Sequence, residues 1–229
     1  MEHDDIQFEE SLRKFAAELD TPLPDSSISL FQRYLDELKK WNKAINLTAI
    51  DDDREILIKH FVDSIYGSKI IDNIDEKFVL DVGAGAGFPA IPLKFVRPDL
   101  AIELLEPSEK KGSFLRYMIG SLSLQQVTVA TAKLEDYVER RNDGRLFDYI
   151  VVRAFKVDGL GLLLSKLLKP GGKVILYRAE KVRPGFELAS LALMEEVEYE
   201  LPSGCGHRVL SAFSKLVRCD VPRGTSRLK

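Results

Sequence analysis

Cysteine is scarce: the 229 residues hold only Cys205 and Cys219, and these form no CxxC pair. A disulfide framework is unneeded at this length, and both side chains are expected as reduced thiols. Histidine is sparse too: His3, His60 and His207 are too scattered to suggest a metal site by their spacing, and no metal is expected. No apolar run approaches the roughly 18 residues that cross a bilayer, and the acidic start Met1 to Glu10 lacks the basic flank and apolar stretch of a secretory signal. No membrane partner and a cytoplasmic location are therefore expected. An excess of positive charge is also lacking, because the net charge is -3. This argues against a protein coated in cations, although nucleic-acid binding depends on where Lys and Arg cluster rather than on their sum. What is present is ordinary: 45% hydrophobic and 30% charged residues, as in a folded globular chain. The length fits one main domain with an appendage.

Along the chain the hydrophobic period changes once. Phe8, Leu12, Phe15, Ala16 and Leu19 recur at helical spacing before Thr21-Pro22-Leu23-Pro24 interrupts them. A second helix is expected from Ser27 or Ser29, with Ser29 and Gln32 as a capping box. A third is expected from about Asp53 toward Gly67. After Lys77 short apolar runs take over, at Phe78 to Val82, Ile102 to Leu105, Val127 to Ala130, Tyr149 to Val152 and Val174 to Tyr177. The separations suit crossover helices, so the pattern predicts an α/β fold: a mostly parallel sheet with helices on both faces. Val197 to Leu201 and Val209 to Val217 flank Pro202-Ser203-Gly204-Cys205-Gly206 and read as a strand pair. The expected partition is an N-terminal helical extension over 1–72, a Rossmann-like domain over 73–221 and a tail over 222–229.

The most informative segment is Leu80-Asp81-Val82-Gly83-Ala84-Gly85-Ala86-Gly87-Phe88. Glycine permits a tight turn and lets a ligand lie against bare backbone. A nicotinamide or flavin fingerprint, GxGxxG, would need its third glycine where Phe88 stands. The GxGxG spacing after Asp81 suits S-adenosylmethionine, which brings no pyrophosphate to cradle. About 20 residues on, Glu106 ends the next strand, where a carboxylate can accept hydrogen bonds from ribose hydroxyls. Leu134 and Glu135, after the third strand, fall where such folds bring a loop beside the adenine.

The chain resembles the bacterial 16S ribosomal RNA (guanine-N7) methyltransferases, the glucose-inhibited division protein B family. The likeness rests on Trp41-Asn42 with Asn46-Leu47-Thr48, His60 with Asp63-Ser64, the loop Asp81 to Pro89 with Ile91-Pro92-Leu93, Lys110-Lys111 with Phe114-Leu115, and Arg153-Ala154-Phe155. It implies a class I methyltransferase sheet with a C-terminal antiparallel strand. It implies S-adenosylmethionine as cofactor and a guanine of 16S ribosomal RNA as acceptor, within the small subunit or an assembly intermediate. By the resemblance Gly83, Phe88, Leu134, Glu135 and Arg153 contact or enclose the cofactor, beside Asp81, Gly85, Gly87 and Glu106. Two positions depart from the family pattern. Tyr177-Arg178-Ala179 stands where Leu-Lys-Gly is common, and Glu106 where Asp is frequent.

Methyl transfer from a sulfonium needs alignment and desolvation more than a strong base, and guanine N7 carries a free lone pair. No catalytic acid or base is therefore assigned. The fourth strand ends in Arg153-Ala154-Phe155, without the Asn/Asp-Pro-Pro-Tyr of exocyclic-amine methylation or a Pro-Cys nucleophile. Arg153 is a candidate clamp for guanine O6, a phosphate or the cofactor carboxylate, or else a salt-bridge partner for Asp81. Lys110, Lys111 and Arg116, then Arg178, Lys181 and Arg183, and the tail residues Arg223, Arg227 and Lys229 form the candidate RNA footprint. Phe155 or Tyr177 could stack on the base or could simply pack. A monomer is expected. The competing readings are a small-molecule methyltransferase, which needs no basic surface, and a factor that binds S-adenosylmethionine without turnover.

Overall fold

The computed structural model describes residues 2–215 apart from 75 and 155, and the side chains of 2–6 are not among those described. The tail with Arg223, Arg227 and Lys229 lies outside the described residues, as do Phe155 and Cys219. Two helices, α1 (Glu2–Glu18) and α2 (Asp25–Ile45), open the chain. Helix α2 begins earlier than the Ser29 capping box predicts. Pro24, at φ -60, already holds the entry geometry, and Asp25 places a negative charge in the first turn. Ser29 is thus an interior helical residue. A third helical stretch runs through α3 (Asp53–Ile56), a π-helical segment (Leu57–Val62) and α4 (Asp63–Tyr66), ending in a 3-10 turn at Gly67–Lys69. The expected regular helix is therefore widened midway, an arrangement frequent at functional sites.

Seven strands follow: β1 (Phe78–Val82), β2 (Ala101–Leu105), β3 (Val127–Ala130), β4 (Phe147–Arg153), β5 (Leu168–Arg178), β6 (Leu191–Leu201) and β7 (Gly206–Lys215). They form one sheet in the order β3-β2-β1-β4-β5-β7-β6. β1 to β5 are parallel, and β7 runs antiparallel between β5 and β6. The C-terminal pair is longer than its apolar runs suggest, because ladder pairing continues through the polar Glu195, Glu196 and Ser214.

Alternation along each strand feeds two cores. Val79, Leu104, Val151 and Ile175 face α5 (Ala90–Val96), α6 (Glu109–Ser121) and the N-terminal helices in one continuous apolar cluster. Leu80, Val82, Ile150, Val152 and Leu176 face α7 (Leu134–Arg140) and α8 (Gly161–Leu167) in the other. The first 70 residues are therefore packed against the sheet through shared core, with Phe31 and Phe61 fully buried there. Among the described residues, no helix is long and apolar enough to cross a membrane.

Candidate active site

The strand order reverses between β1 and β4, and the carboxyl ends of strands at such a switch point are where α/β sheets bind ligands. Register places Val82 beside both Leu105 and Val152. Three segments therefore leave the sheet side by side: the glycine loop after β1, Glu106 after β2, and Arg153 at the end of β4.

The loop is built by main-chain bonds. The amides of Gly83 and Ala84 both donate to the carbonyl of Leu105, at 2.9 and 3.1 Å. Gly83, Gly85 and Gly87 adopt φ of +76, +59 and +94, a region that costs other residues about 1–2 kcal/mol. Their free faces differ. A Cβ on Gly85 would meet only open space, with its nearest neighbour the Gly83 carbonyl at 3.8 Å. One on Gly87 would strike Ile91 Cδ1 at 2.5 Å and the Tyr34 hydroxyl at 2.9 Å. Gly85 thus presents bare backbone to a ligand, whereas the room at Gly87 is filled from within. Tyr34 also donates to the carbonyl of Ala86, so α2 holds the loop from beneath.

Glu106 is buried and already committed to this loop. One carboxylate oxygen accepts from the Gly85 amide at 2.9 Å and the other from the Ser108 amide at 2.9 Å. Each oxygen keeps acceptor capacity for a further donor. Asp81 is fully buried and faces the N-terminal helices. Its Oδ2 accepts from the Ala90 amide at 3.2 Å, and its Oδ1 has no protein partner. Burial pushes its carboxyl well above the usual range, against the pull of the Ala90 amide and Arg153. An unpaired acceptor in so dry a place suits a ligand that brings its own donor.

The remaining candidates separate. Phe88 is buried with its ring stacked between Tyr34, at 5.3 Å, and His60, at 4.6 Å, so its side chain is a packing element of the loop's base. Leu134 is buried in the second core, while Glu135 beside it is exposed at the start of α7.

Arg153 does not pair with Asp81. Its guanidinium lies 3.1 Å from Asp63 Oδ2, donates to His60 Nδ1, and sits 5.5 Å from the Phe88 ring centroid. Asp63 is the hub of this cluster. Its other oxygen accepts from the Tyr199 hydroxyl at 2.7 Å, and Arg208 Nε lies 3.8 Å away. The cluster joins residues from the π-helical turn, the start of α4, β4, β6 and β7. Asp63 has a sequence signal, a carboxylate within the apolar run Ile58, Phe61, Val62 and Ile65, but Tyr199 and Arg208 have none. Tyr177 is buried and its hydroxyl donates to the Ser64 carbonyl at 2.9 Å, occupying the space where a Cβ of Gly67 would stand. It packs the helical stretch onto β5.

Above this cluster opens a cavity of about 230 Å³, lined by His60, Asp63, Arg153 and Tyr177 together with Lys59, Arg178 and Arg208. Four cations and one carboxylate give it a positive character. Of the other expected RNA contacts, Lys181 pairs with Glu198 at 2.6 Å, and Arg116 donates to Thr131 while lying 3.8 Å from Glu109.

A doubly wound sheet, a bare glycine turn after β1 and an acid after β2 define a nucleoside-binding α/β enzyme of the class I methyltransferase type. Two solved structures share the sheet. TrmN from Thermus thermophilus superposes with a TM-score of 0.52 at 20% identity, over 68% of this chain and 48% of its own length. A mutant of MtNAS gives 0.56 at 13% identity, over 82% of this chain and 75% of its own. At such identities the likeness concerns the fold. In sequence, residues 27–201 match the model of the family described as GidB, rRNA small subunit methyltransferase G. The ribosomal RNA small subunit methyltransferase G of Staphylococcus carnosus is 35% identical over 86% of either chain. Its counterpart in Geobacter sulfurreducens is 36% identical over 87% of this chain and 94% of its own. The chain belongs to the rRNA small subunit methyltransferase G family and is a methyltransferase.

Proposed function

We propose that this enzyme transfers a methyl group from S-adenosylmethionine to N7 of a guanine in 16S ribosomal RNA, as a cytoplasmic monomer acting on the small subunit or an assembly intermediate. The observation that carries the reading is the adjacency, across β1 and β4, of a bare-backbone loop with its carboxylates and a cation-lined cavity. When bound, S-adenosylmethionine supplies a methyl group on a positively charged sulfur, already activated for displacement. Gly85 offers open backbone against the cofactor, and Glu106 offers acceptors to the ribose hydroxyls from a position fixed by two amides. Once its carboxyl is ionised, Asp81 Oδ1 offers an acceptor to an ammonium group, and Leu134 and Glu135 border the adenine. Gly83 and Gly87 give the loop its curvature, and Phe88 supports it.

On the acceptor side Arg153 is held by Asp63 and His60, so it is pre-oriented before RNA arrives. Its planar donors suit guanine O6 or the flanking phosphate. Lys59, Arg178 and Arg208 neutralise the backbone of the strand that delivers the base. No residue at this edge is needed to remove a proton, because N7 has none at neutral pH.

The test has two arms. Mass mapping of modified guanines in small-subunit RNA, with and without this gene, is expected to reveal loss of one N7-methylguanine, and unchanged modification would reject the acceptor assignment. In calorimetry, Glu106→Ala is expected to weaken S-adenosylmethionine binding by about 1–3 kcal/mol through lost acceptors and a loosened Gly85. Unaltered affinity would remove Glu106 from the site.

A further inference from the structure

The segment Asn42 to Thr48, which spans the end of α2, is tightly constructed. The side-chain oxygen of Asn42 accepts from the amides of Leu47, at 2.7 Å, and Thr48, at 2.9 Å. Its side-chain nitrogen donates to the Thr48 carbonyl at 3.0 Å. Asn46, in the left-handed region at φ +50, closes α2 and turns the chain into this bend. The outcome of the whole device is the position of one hydroxyl. Thr48 Oγ1 accepts from the Ile50 amide at 3.1 Å and lies 2.8 Å from His60 Nε2.

The protonation of His60 follows from its partners. Arginine has no acceptor, so the contact between Arg153 and His60 Nδ1 requires a lone pair on Nδ1. The ring proton of the neutral imidazole must then sit on Nε2, where Thr48 Oγ1 accepts it. Burial, and then the Arg153 charge, press the His60 pKa down to about 3, which keeps the ring neutral at any working pH. The ring is further fixed by its stack on Phe88, at an interplanar angle of 18°. Asp63 and His60 thus grip one guanidinium from two directions, Asp63 by charge and His60 by a lone pair whose direction Thr48 sets.

We propose that Thr48 and His60 are positioning residues: through the Nε2–H tautomer of His60, the bend after α2 sets the orientation of Arg153 toward the methyl acceptor. This inference rests on the reading of Arg153 as part of the acceptor site.

The test compares four variants in single-turnover methyl transfer to purified small subunits, alongside calorimetric cofactor affinity and melting temperature. His60→Asn places an amide oxygen near the Nδ1 position and keeps an acceptor for Arg153, whereas His60→Gln reaches toward Thr48 and leaves Arg153 without one. Both lose the stack on Phe88, so their difference isolates the lone pair. His60→Gln and Thr48→Val are expected to slow methyl transfer by about 10- to 100-fold while cofactor affinity stays within about twofold. His60→Asn and Thr48→Ser should recover most of the rate. Equal rates within each pair, or losses that merely follow melting temperature, would overturn the proposal. Arg153→Lys serves as the reference. If it is slow while the four variants behave alike, the relay fails and the acceptor-site reading stands; if it is fully active, both fall.

Discussion

The two halves of the carboxyl edge are built on opposite principles. At β1 and β2 the site is made of main chain, with amides, carbonyls and an exposed glycine, stiffened by one carboxylate that bonds to backbone. At β4 it is made of side chains, in a charged cluster contributed by five separate elements. The first half can recognise a molecule common to many enzymes, because backbone geometry is insensitive to most substitutions. The second can be tailored, because each member is a replaceable side chain. Its members are interdependent, so changing one exposes another.

The sharpest way to break this contrast is Arg153→Ala. Asp63 is only 3% exposed, and removing Arg153 takes away its 3.1 Å partner, leaves Arg208 at 3.8 Å as its remaining cation, and orphans the His60 lone pair. A loss of about 3 kcal/mol in denaturant unfolding is expected, the lower end for a buried pair because Arg208 and Tyr199 remain, with methyl transfer lost as well. Asp63→Asn combined with Arg153→Met should cost less than the sum of the two single changes; strict additivity would mean that the pair does not act as a unit.

A second comparison lies within the loop. Gly87→Ala meets Ile91, Tyr34 and a φ of +94, and is expected to destabilise folding by about 2–4 kcal/mol. Gly85→Ala faces open space, so about 1 kcal/mol of backbone strain is expected, with the larger loss in cofactor affinity. Thermal unfolding and calorimetry on both variants would decide it, and the opposite ranking would reverse the roles assigned to the two glycines.

A pH-dependent effect is expected on acid stability. The pKa of His60 is about 3 in the folded chain, below the ordinary 6.5, so the unfolded state binds the extra proton first as pH falls. The stability this provides is complete above about pH 7 and is lost progressively on the way down toward pH 3. Between pH 7 and 5 it amounts to about 2 kcal/mol, which should vanish from the stability profile of His60→Asn. Parallel profiles for the two proteins would mean that the ring is not held neutral.

These differences also explain what the sequence could reveal. The strands were legible because each parallel strand is a short apolar run bounded by polar residues, and the loop because its working parts are consecutive from Asp81 to Phe88, with Glu106 one strand away. The three glycines look alike on paper, and only packing distinguishes Gly85 from Gly87. The β4 cluster draws on residues 48, 60, 63, 153, 199 and 208, brought together by tertiary packing alone. The sequence offered Asp81 as a neighbouring partner for Arg153, but Asp63, at the start of α4 directly after the π-helical turn, takes that place. That turn has no local signature, since its widening is supported by contacts from elsewhere.

The hydroxyl of Tyr34 beneath Ala86 makes the helical beginning of the chain a foundation for the loop. Transplanting Asp81 to Phe88 into another doubly wound scaffold would therefore carry over the ligand-facing surface without the beam that braces it. A graft would need α2 to come along, with Tyr34 in register against Gly87.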